Sequence, residues 1–421
     1  MFLYDTKFGR ENKVKKLFNY KGFNKLNQQN NILKGRKSMN NLPKNFETFS
    51  DARRQGFLKV KELKDAGKNV VGTYCTYTPK EIIYAAGAYP VSLCASSEET
   101  IPDAERHLPK NLCPLIKASY GFALTDKCPY MYFSDLVIGE TTCDGKKKMY
   151  ELLGEIKDTY VMNLPNSQNN SYSFELWKNE VKAFIKKLEE KFNVIITEEK
   201  LKEGIKLCNE ERRVLKELYS LGKLVPPPIS GYDTYKILDG ANFTFDKNEQ
   251  NEKIREMIAE LKKIHEEGKS KIPASAPRIL ITGCPMGGVI DKIVKPLEEL
   301  GAVVVAYENC SGMKNLEELV REDIDPIDAL AEKYLNIPCS VMTPNKGREE
   351  LLKEVIDEYK VDGVVEVVLQ ACHTYNIESH NIKKLVMKEK EIPYIALETD
   401  YSTSDSGQVK IRMEAFLELL G

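Results

Sequence analysis

Residues 69–94 read NVVGTYCTYTPKEIIYAAGAYPVSLC, and this stretch decides the fold of the chain. The opening NVVGTYC is rich in β-branched residues and predicts a buried strand. A helix is predicted next, with Thr78 as its N-cap, Pro79 at its first position and Gly87 near its end. The closing PVSLC predicts a second short strand. Strand–helix–strand units of this kind are typical of a mainly parallel sheet.

The same alternation of strands and helices recurs in two parts of the chain. Residues 46–170 are predicted to form a first Rossmann-like α/β domain, and residues 274–421 a second one. Residues 171–273 predict a helical region and linker between them. Residues 1–45 are rich in Lys and Asn without periodicity, so we interpret them as a disordered or mispredicted leader, with Met39 as the candidate true start. The predicted fold class is α/β, with two doubly wound domains and a helical insert.

The composition excludes several classes of protein. The chain has 421 residues, a net charge of -1 and 42% hydrophobic residues, which is ordinary for a globular enzyme. The balanced charge gives no reason to expect nucleic acid or an anionic membrane as partner. We see neither a long apolar run nor a secretory signal, so a cytosolic location is expected. Disulfides are disfavoured there, and numerous cysteines then indicate metal binding or catalysis.

Ten cysteines carry most of the chemical information in the sequence. Several end a β-branched run and meet Gly, Ser, Pro or Asp, so their thiols are expected at the tips of buried strands. No C-x-x-C pair occurs, which excludes zinc ribbons, thioredoxin-like motifs and the compact ferredoxin signature. Ligands would have to converge from distant loops, an arrangement that suits an iron–sulfur cluster. Cys208 recurs at helical spacing with apolar residues and is interpreted as core, as is Cys94, whereas Cys128 stays undecided.

Two further motifs leave alternatives open. GCPMGG at residues 283–288 follows a strand but lacks the G-x-G-x-x-G order. Its glycines are therefore expected to let the backbone approach a bulky cofactor rather than a nucleotide. Lys146, Lys147 and Lys148 open a helix after Cys143. They are a solvated face, a counter-charge for an anionic cluster, or a docking surface for an acidic partner.

The segment ACHTYNIESHN at residues 371–381 brings together candidate acid–base groups. His373 beside Cys372 is either a hydrogen-bonded structural residue or a proton donor to a bound substrate. Glu378 is the second candidate for proton transfer. The zinc alternative lacks further ligands at short spacing.

Taken together, these motifs resemble the family of 2-hydroxyacyl-CoA dehydratase subunits and the related benzoyl-CoA reductase subunits. Within that family the chain most resembles the double-cubane cluster proteins. The resemblance covers residues 46–421 and is carried by GTYCTYTPKEIIYAAGAYPVSLC, KNLCPLIKASYGFALTDKCPYMYFSDLVIGETTCDGKKKMYELLG, ILITGCPMGG, ENCSGMK, YLNIPCSVMTPN, LQACHTYNIESHNIKK and IALETDYSTSDSGQ. It implies two Rossmann-like domains and a helical domain, with an iron–sulfur cluster in the cleft between the domains.

The resemblance also implies partners. It implies a separate activator, a dimeric actin-like ATPase with its own [4Fe–4S] cluster, which hydrolyses ATP to drive one low-potential electron into this component. The absence of a nucleotide motif in the sequence fits that division of labour. A homodimer of the chain itself is expected as well.

The ligand set follows from the same resemblance. In the dehydratases three cysteines hold one [4Fe–4S] cubane, and the best matches are Cys113, Cys143 and Cys372. In the double-cubane branch two cubanes share a sulfide, giving [8Fe–9S], and six cysteines are needed. The further candidates are Cys75 and Cys310 first, then Cys339 and then Cys284, and Cys128 is the last candidate.

This surplus of well-placed cysteines favours two cubanes. The predicted function is therefore a reductase component that passes low-potential electrons to a small molecule. The first alternative is a single-cubane subunit of a 2-hydroxyacyl-CoA dehydratase. The second is a non-catalytic carrier of electrons or of a cluster.

Overall fold

Two parallel sheets of four strands each form the core of the fold. The computed structural model describes residues 52–420, with side chains from residue 58 onward, and these residues belong to one compact unit. The predicted leader, residues 1–45, and its candidate start at Met39 lie outside the described residues. Within the described part, no helix is both long enough and apolar enough to cross a bilayer. The α/β fold class is confirmed.

The first sheet and its helices occupy residues 52–162. In chain order they are α1 (Ala52–Asp65), β1 (Val70–Thr73), α2 (Lys80–Ala85), β2 (Tyr89–Ser92), α3 (Ile101–Ala104), α4 (Pro114–Leu124), α5 (Pro129–Phe133), β3 (Leu136–Glu140), α6 (Asp144–Gly154) and β4 (Thr159–Met162). The strand order is β2-β1-β3-β4, and every pair is parallel. The inner strands β1 and β3 are buried throughout, which explains their continuous apolar runs.

A helical stretch follows the first sheet. It consists of α7 (Ser173–Phe192), α8 (Glu198–Ser220), α9 (Gly231–Ala241) and α10 (Lys247–Glu266). Helix α8 packs against α2 and α10, and its buried face includes Cys208, as its helical spacing predicted. Three of these helices begin at a side-chain N-cap, namely Thr197, Ser230 and Asp246.

The second sheet occupies the C-terminal part of the chain. Its elements are β5 (Arg278–Gly283), α11 (Ile290–Glu299), β6 (Val303–Glu308), α12 (Met313–Leu316), α13 (Pro326–Leu335), α14 (Lys346–Glu358), β7 (Gly363–Leu369), α15 (His373–Lys384), β8 (Tyr394–Thr399) and α16 (Ser406–Glu418). The strand order is β6-β5-β7-β8, again entirely parallel. The predicted domain boundaries at 170/171 and 273/274 fall in the loops before α7 and before β5.

One hydrophobic core joins the first sheet to part of the second half. Val71 and Ile138 of the first sheet share it with Trp177 of α7 and Leu330 of α13, all of which are completely buried. Helix α7 packs directly on α13. The Tyr77 hydroxyl donates a hydrogen bond of 2.9 Å to the Ile337 carbonyl oxygen, just before Cys339. The loop after β1 is thereby fixed against the segment that carries Cys339.

Two local predictions differ from the structure. The helix after β1 begins at Lys80, and its N-cap is Pro79 rather than Thr78. The Thr78 hydroxyl instead donates a short hydrogen bond to the buried carboxylate of Glu140, the last residue of β3, and so does not cap the helix. In GCPMGG, an added Cβ at Gly283 would lie 2.3 Å from the Val367 carbonyl oxygen. This glycine therefore accommodates a neighbouring strand of the protein, whereas the sequence suggested a cofactor.

Replacing Gly283 by Ala is expected to lower the free energy of unfolding by about 1–3 kcal/mol, because the residue has a φ of +103° and its Cβ would collide with β7. Urea denaturation measures this change. Gly154→Ala is the matched control, since Gly154 is exposed at the end of α6 and has no atom within 4 Å of its Cβ position. Equal stability of the two variants would contradict the explanation.

Candidate metal centre

The cysteines cluster at the inner strands of both sheets. In each sheet the direction in which strands are added reverses between two neighbours, β1 and β3 in the first and β5 and β7 in the second. Ligands of open parallel sheets bind beyond the carboxyl ends of the strands at such a point. Cys75 follows β1, Cys143 follows β3, Cys284 follows β5 and Cys372 follows β7. All four strands at the two reversal points therefore lead into a cysteine.

Three of the candidate ligands also occupy the N-cap position of a helix, as Cys128 does before α5. Cys113 precedes α4, Cys143 precedes α6 and Cys372 precedes α15. The positive end of a helix dipole and its unpaired N–H groups favour a thiolate over a thiol. Burial raises the pKa of Cys143, and the first-turn amides of Lys146 and Gly145 act against that rise. These are the same three positions that the family resemblance singles out.

The first thiol group consists of Cys113, Cys143, Cys284 and Cys372. The sulfur of Cys372 lies within hydrogen-bonding reach of the thiols of Cys113 and Cys284, and these two contacts lower its pKa well below the ordinary value. The pKa of Cys113 is raised by its hydrogen bond with Cys372, and that of Cys284 by burial. Cys143 interacts electrostatically with Cys372. Residues from both halves of the chain thus meet at Cys372.

The second thiol group consists of Cys75, Cys310 and Cys339. Cys75 interacts electrostatically with both other members, although it comes from the first half of the chain and they come from the second. Burial raises the pKa of Cys310 to about 11. Cys310 follows β6 directly after Asn309, and Cys339 lies in the loop after α13. The seven candidate ligands therefore separate into a group of four and a group of three.

The donor chemistry of these groups fits iron–sulfur clusters. Within residues 52–420, no three His, Cys, Asp or Glu side chains converge tightly enough to hold a single metal ion. A cubane requires a wider ligand arrangement, because each cysteine binds a separate iron and the ligands surround the whole cluster rather than one metal ion. None of the ten cysteines forms a disulfide bond, and each thiol group draws on both halves of the chain.

Two lysines bring positive charge to the thiols. The Lys146 ammonium is half-buried and interacts electrostatically with Cys75 and Cys310, and it donates a long hydrogen bond of 3.4 Å to the Tyr74 carbonyl oxygen. Lys314 lies in α12, four residues after Cys310, and is buried. It donates to the Tyr375 hydroxyl at 2.8 Å and forms an ion pair of 2.9 Å with Glu308.

A buried network of charges holds Lys314 in place. Arg348 on α14 is completely buried and pairs with Glu308 at 3.1 Å, with Glu366 at 3.2 Å and with Glu378. Its guanidinium also stacks 4.9 Å from the ring centre of Tyr375. We call Arg348 and these four partners, Glu308, Glu366, Glu378 and Tyr375, the Arg348 network. No sequence motif indicated it, because its members are spread over four elements and each alone resembles an ordinary charged residue.

The two predicted acid–base residues differ in their surroundings. Glu378 accepts hydrogen bonds from Asn345 at 2.6 Å and from Arg348, so it belongs to the Arg348 network. His373 is exposed at the first turn of α15, next to Cys372. The structure does not bring the two side chains together.

The three remaining cysteines have distinct environments. Cys208 is enclosed in the helical stretch. Cys128 caps α5, where its sulfur accepts a hydrogen bond of 3.4 Å from the Met131 amide. The expectation for Cys94 was wrong, since it is half-buried rather than core. Its thiol donates to the Tyr74 carbonyl oxygen at 2.7 Å and it interacts with Cys310, so it lies beside the second thiol group. The sequence PVSLC did not indicate that Cys94 would lie beside these thiols, because β2 ends at Ser92, two residues before it.

Several buried polar atoms near the thiols lack a hydrogen-bond partner among the described residues. They include the hydroxyls of Tyr74, Tyr150 and Tyr401 and one carboxylate oxygen of Glu140. Tyr401 interacts with Cys113 and Cys284, while Glu140 and Tyr150 interact with Cys75. Unpaired buried polar groups are costly, so a group bound beside these thiols would find hydrogen-bonding partners in them.

Comparison with known proteins gives a consistent result. The family model of the 2-hydroxyglutaryl-CoA dehydratase D-component matches residues 75–420. The Escherichia coli (strain K12) protein named "Putative dehydratase subunit YjiM" is 54% identical, over 90% of this chain and 98% of its own length. The (R)-phenyllactyl-CoA dehydratase beta subunit of Clostridium sporogenes is 27% identical, over 91% of this chain and 100% of its own length. A benzoyl-CoA reductase subunit of Thauera aromatica is 21% identical, over 85% and 92% respectively.

Proposed function

Since the chain belongs to the family of the 2-hydroxyglutaryl-CoA dehydratase D-component, as its motifs predicted, we propose that it is an iron–sulfur reductase component. The proposed cofactor is a double-cubane [8Fe–9S] cluster. It is held in a cleft between two Rossmann-like domains, with the boundaries predicted from the sequence. The parallel strand order of both sheets supports this architecture.

The separation of the thiols into two groups is the observation that carries the proposal. Cys113, Cys143 and Cys372 are the proposed ligands of one cubane, and Cys75, Cys310 and Cys339 those of the other. The electrostatic contacts within each group support this division. Cys284 stays a further candidate in the first group, where its sulfur also accepts a hydrogen bond of 3.3 Å from the Leu369 amide.

The residues of the chain have separate tasks in this proposal. The bound cluster supplies low-potential electrons for a small unsaturated or nitrogen-containing substrate. Helix N-termini at Cys113, Cys143 and Cys372 stabilise the thiolates. His373 and Glu378 are the proposed proton carriers, because His373 follows Cys372 directly on α15 and Glu378 is held in place by Arg348. The proposed partners are a second copy of the chain and an ATP-hydrolysing activator with its own [4Fe–4S] cluster.

A dehydratase subunit with a single [4Fe–4S] cubane is the second candidate. It is favoured by the names of the relatives, among which dehydratase subunits predominate. A non-catalytic carrier of electrons or of a cluster is the third candidate, and it would use the same two thiol groups.

Iron and sulfide content of the anaerobically purified chain tests the proposal. We expect about eight irons and about nine sulfides per chain, as two cubanes with a bridging sulfide require. About four irons per chain would favour the single-cubane dehydratase instead. A chain without iron would overturn all the cluster-based candidates.

A further inference from the structure

Three consecutive lysines on α6 have different environments. Lys147 is exposed and pairs with Asp144 at 2.8 Å, and Lys148 is exposed and pairs with Glu151. Lys146 is half-buried, and within the described residues no ion pair joins it to a carboxylate. The three interpretations that the sequence left open therefore do not apply equally to all three lysines. Lys147 and Lys148 form the solvated face, whereas Lys146 points inward.

Lys146 lies at the junction of the two thiol groups. It occupies the first turn of the helix that Cys143 caps, so its backbone is fixed beside the first group. Its ammonium reaches the carbonyl oxygen of Tyr74, the residue directly before Cys75, and so lies beside the second group. Cys94 donates to that same carbonyl oxygen. The ammonium interacts electrostatically with Cys75, Cys143 and Cys310, which belong to both groups.

The Lys146 ammonium forms no ion pair with a carboxylate among the described residues, although it interacts electrostatically with the buried Glu140. Its hydrogen bond to Tyr74 is long and leaves further N–H donors of the ammonium without a partner in that contact. Lys314, the other cation near the thiols, differs because Glu308 pairs with it directly at 2.9 Å. A buried cation without a direct ion-pair partner is costly, so its retention favours a further negative group beside it.

We propose that the Lys146 ammonium is the fixed counter-charge between the two cubanes and that it raises the reduction potential of the cluster. This inference rests on the proposed function. Six thiolates and the inorganic sulfides give the cluster a negative charge, which grows when an electron is added. A cation held nearby stabilises the reduced form more than the oxidised form, since attraction increases with charge at a given distance. Lys146 thus acts on the reduction potential through its charge and makes no bond to iron.

The variants Lys146→Met, Lys146→Arg and Lys147→Met of the full chain test the inference. Each is purified without oxygen, its iron content is measured, and its midpoint potential is obtained from a redox titration followed by electron paramagnetic resonance. In Lys146→Met we expect the equilibrium constant for one-electron reduction of the cluster to fall roughly tenfold, which lowers the midpoint potential by about 59 mV. Lys146→Arg keeps the charge and should stay close to the unchanged chain. Lys147→Met removes an exposed charge from the same turn and should also leave the potential unchanged.

The outcomes separate this inference from the proposed function. A chain without iron would overturn the proposed function and this inference with it. Iron-loaded Lys146→Met with an unchanged potential would overturn only the role of Lys146. If Lys146→Met fails to retain iron, Lys146→Arg decides: restored iron and potential support the counter-charge, whereas an equal defect in Lys146→Arg overturns it.

Discussion

Cys372→Ser is expected to remove about half of the iron from the chain, roughly four of about eight irons, because Cys372 belongs to the first thiol group and its sulfur lies within hydrogen-bonding reach of the Cys113 and Cys284 thiols. Cys75→Ser is expected to remove a similar amount, and from the other cubane, because Cys75 interacts electrostatically with Cys310 and Cys339 of the second group. The double variant should therefore retain almost no iron. Iron and sulfide analysis of the anaerobically purified variants measures these losses.

The two single variants distinguish the candidate functions from each other. With a single cubane, Cys372→Ser would lose nearly all of the iron and Cys75→Ser almost none. Cys208→Ala is the control, since Cys208 is buried on α8 and lies in neither thiol group. Unchanged iron in Cys75→Ser would remove Cys75 from the ligand set and the second cubane with it.

Arg348→Met is expected to lower the free energy of unfolding by about 3–5 kcal/mol, the usual cost of leaving buried charges without their partner. Arg348 is completely buried and compensates Glu308, Glu366 and Glu378 at once. Methionine fills much of the same volume, so the loss reports on charge rather than on a cavity. The free energy is measured by urea denaturation.

Lys346→Met is the matched control for this variant. Lys346 lies on the same helix, but it is exposed and pairs with Glu349 three residues later. Its removal should cost between zero and about 1 kcal/mol. Equal losses in the two variants would contradict the role of the Arg348 network. If Arg348→Met yields no soluble chain, Arg348→Lys should give a folded protein with an intermediate loss, because it keeps the charge but not the forked geometry.

Much of the fold could be predicted because it depends on local sequence. The β-branched runs before Cys75, Cys284 and Cys372 predicted buried strands, and the structure has strands there. The all-parallel pairing follows from the alternation of those runs with helices. Thr78 shows the limit of local evidence. Its sequence context is typical of an N-cap, yet its hydroxyl donates its hydrogen bond to Glu140 from another strand.

The candidate site could be predicted only in part. The sequence by itself determined which thiols end strands and precede helices, because those relations involve neighbouring residues. Only the tertiary structure decided which thiols meet. Cys75 joins Cys310 and Cys339 because Tyr77 fixes the loop after β1 against the segment before Cys339, and no sequence pattern encodes such a long-range contact. The inward direction of Lys146 was likewise decided by packing, because three identical neighbours on a helix point to different sides.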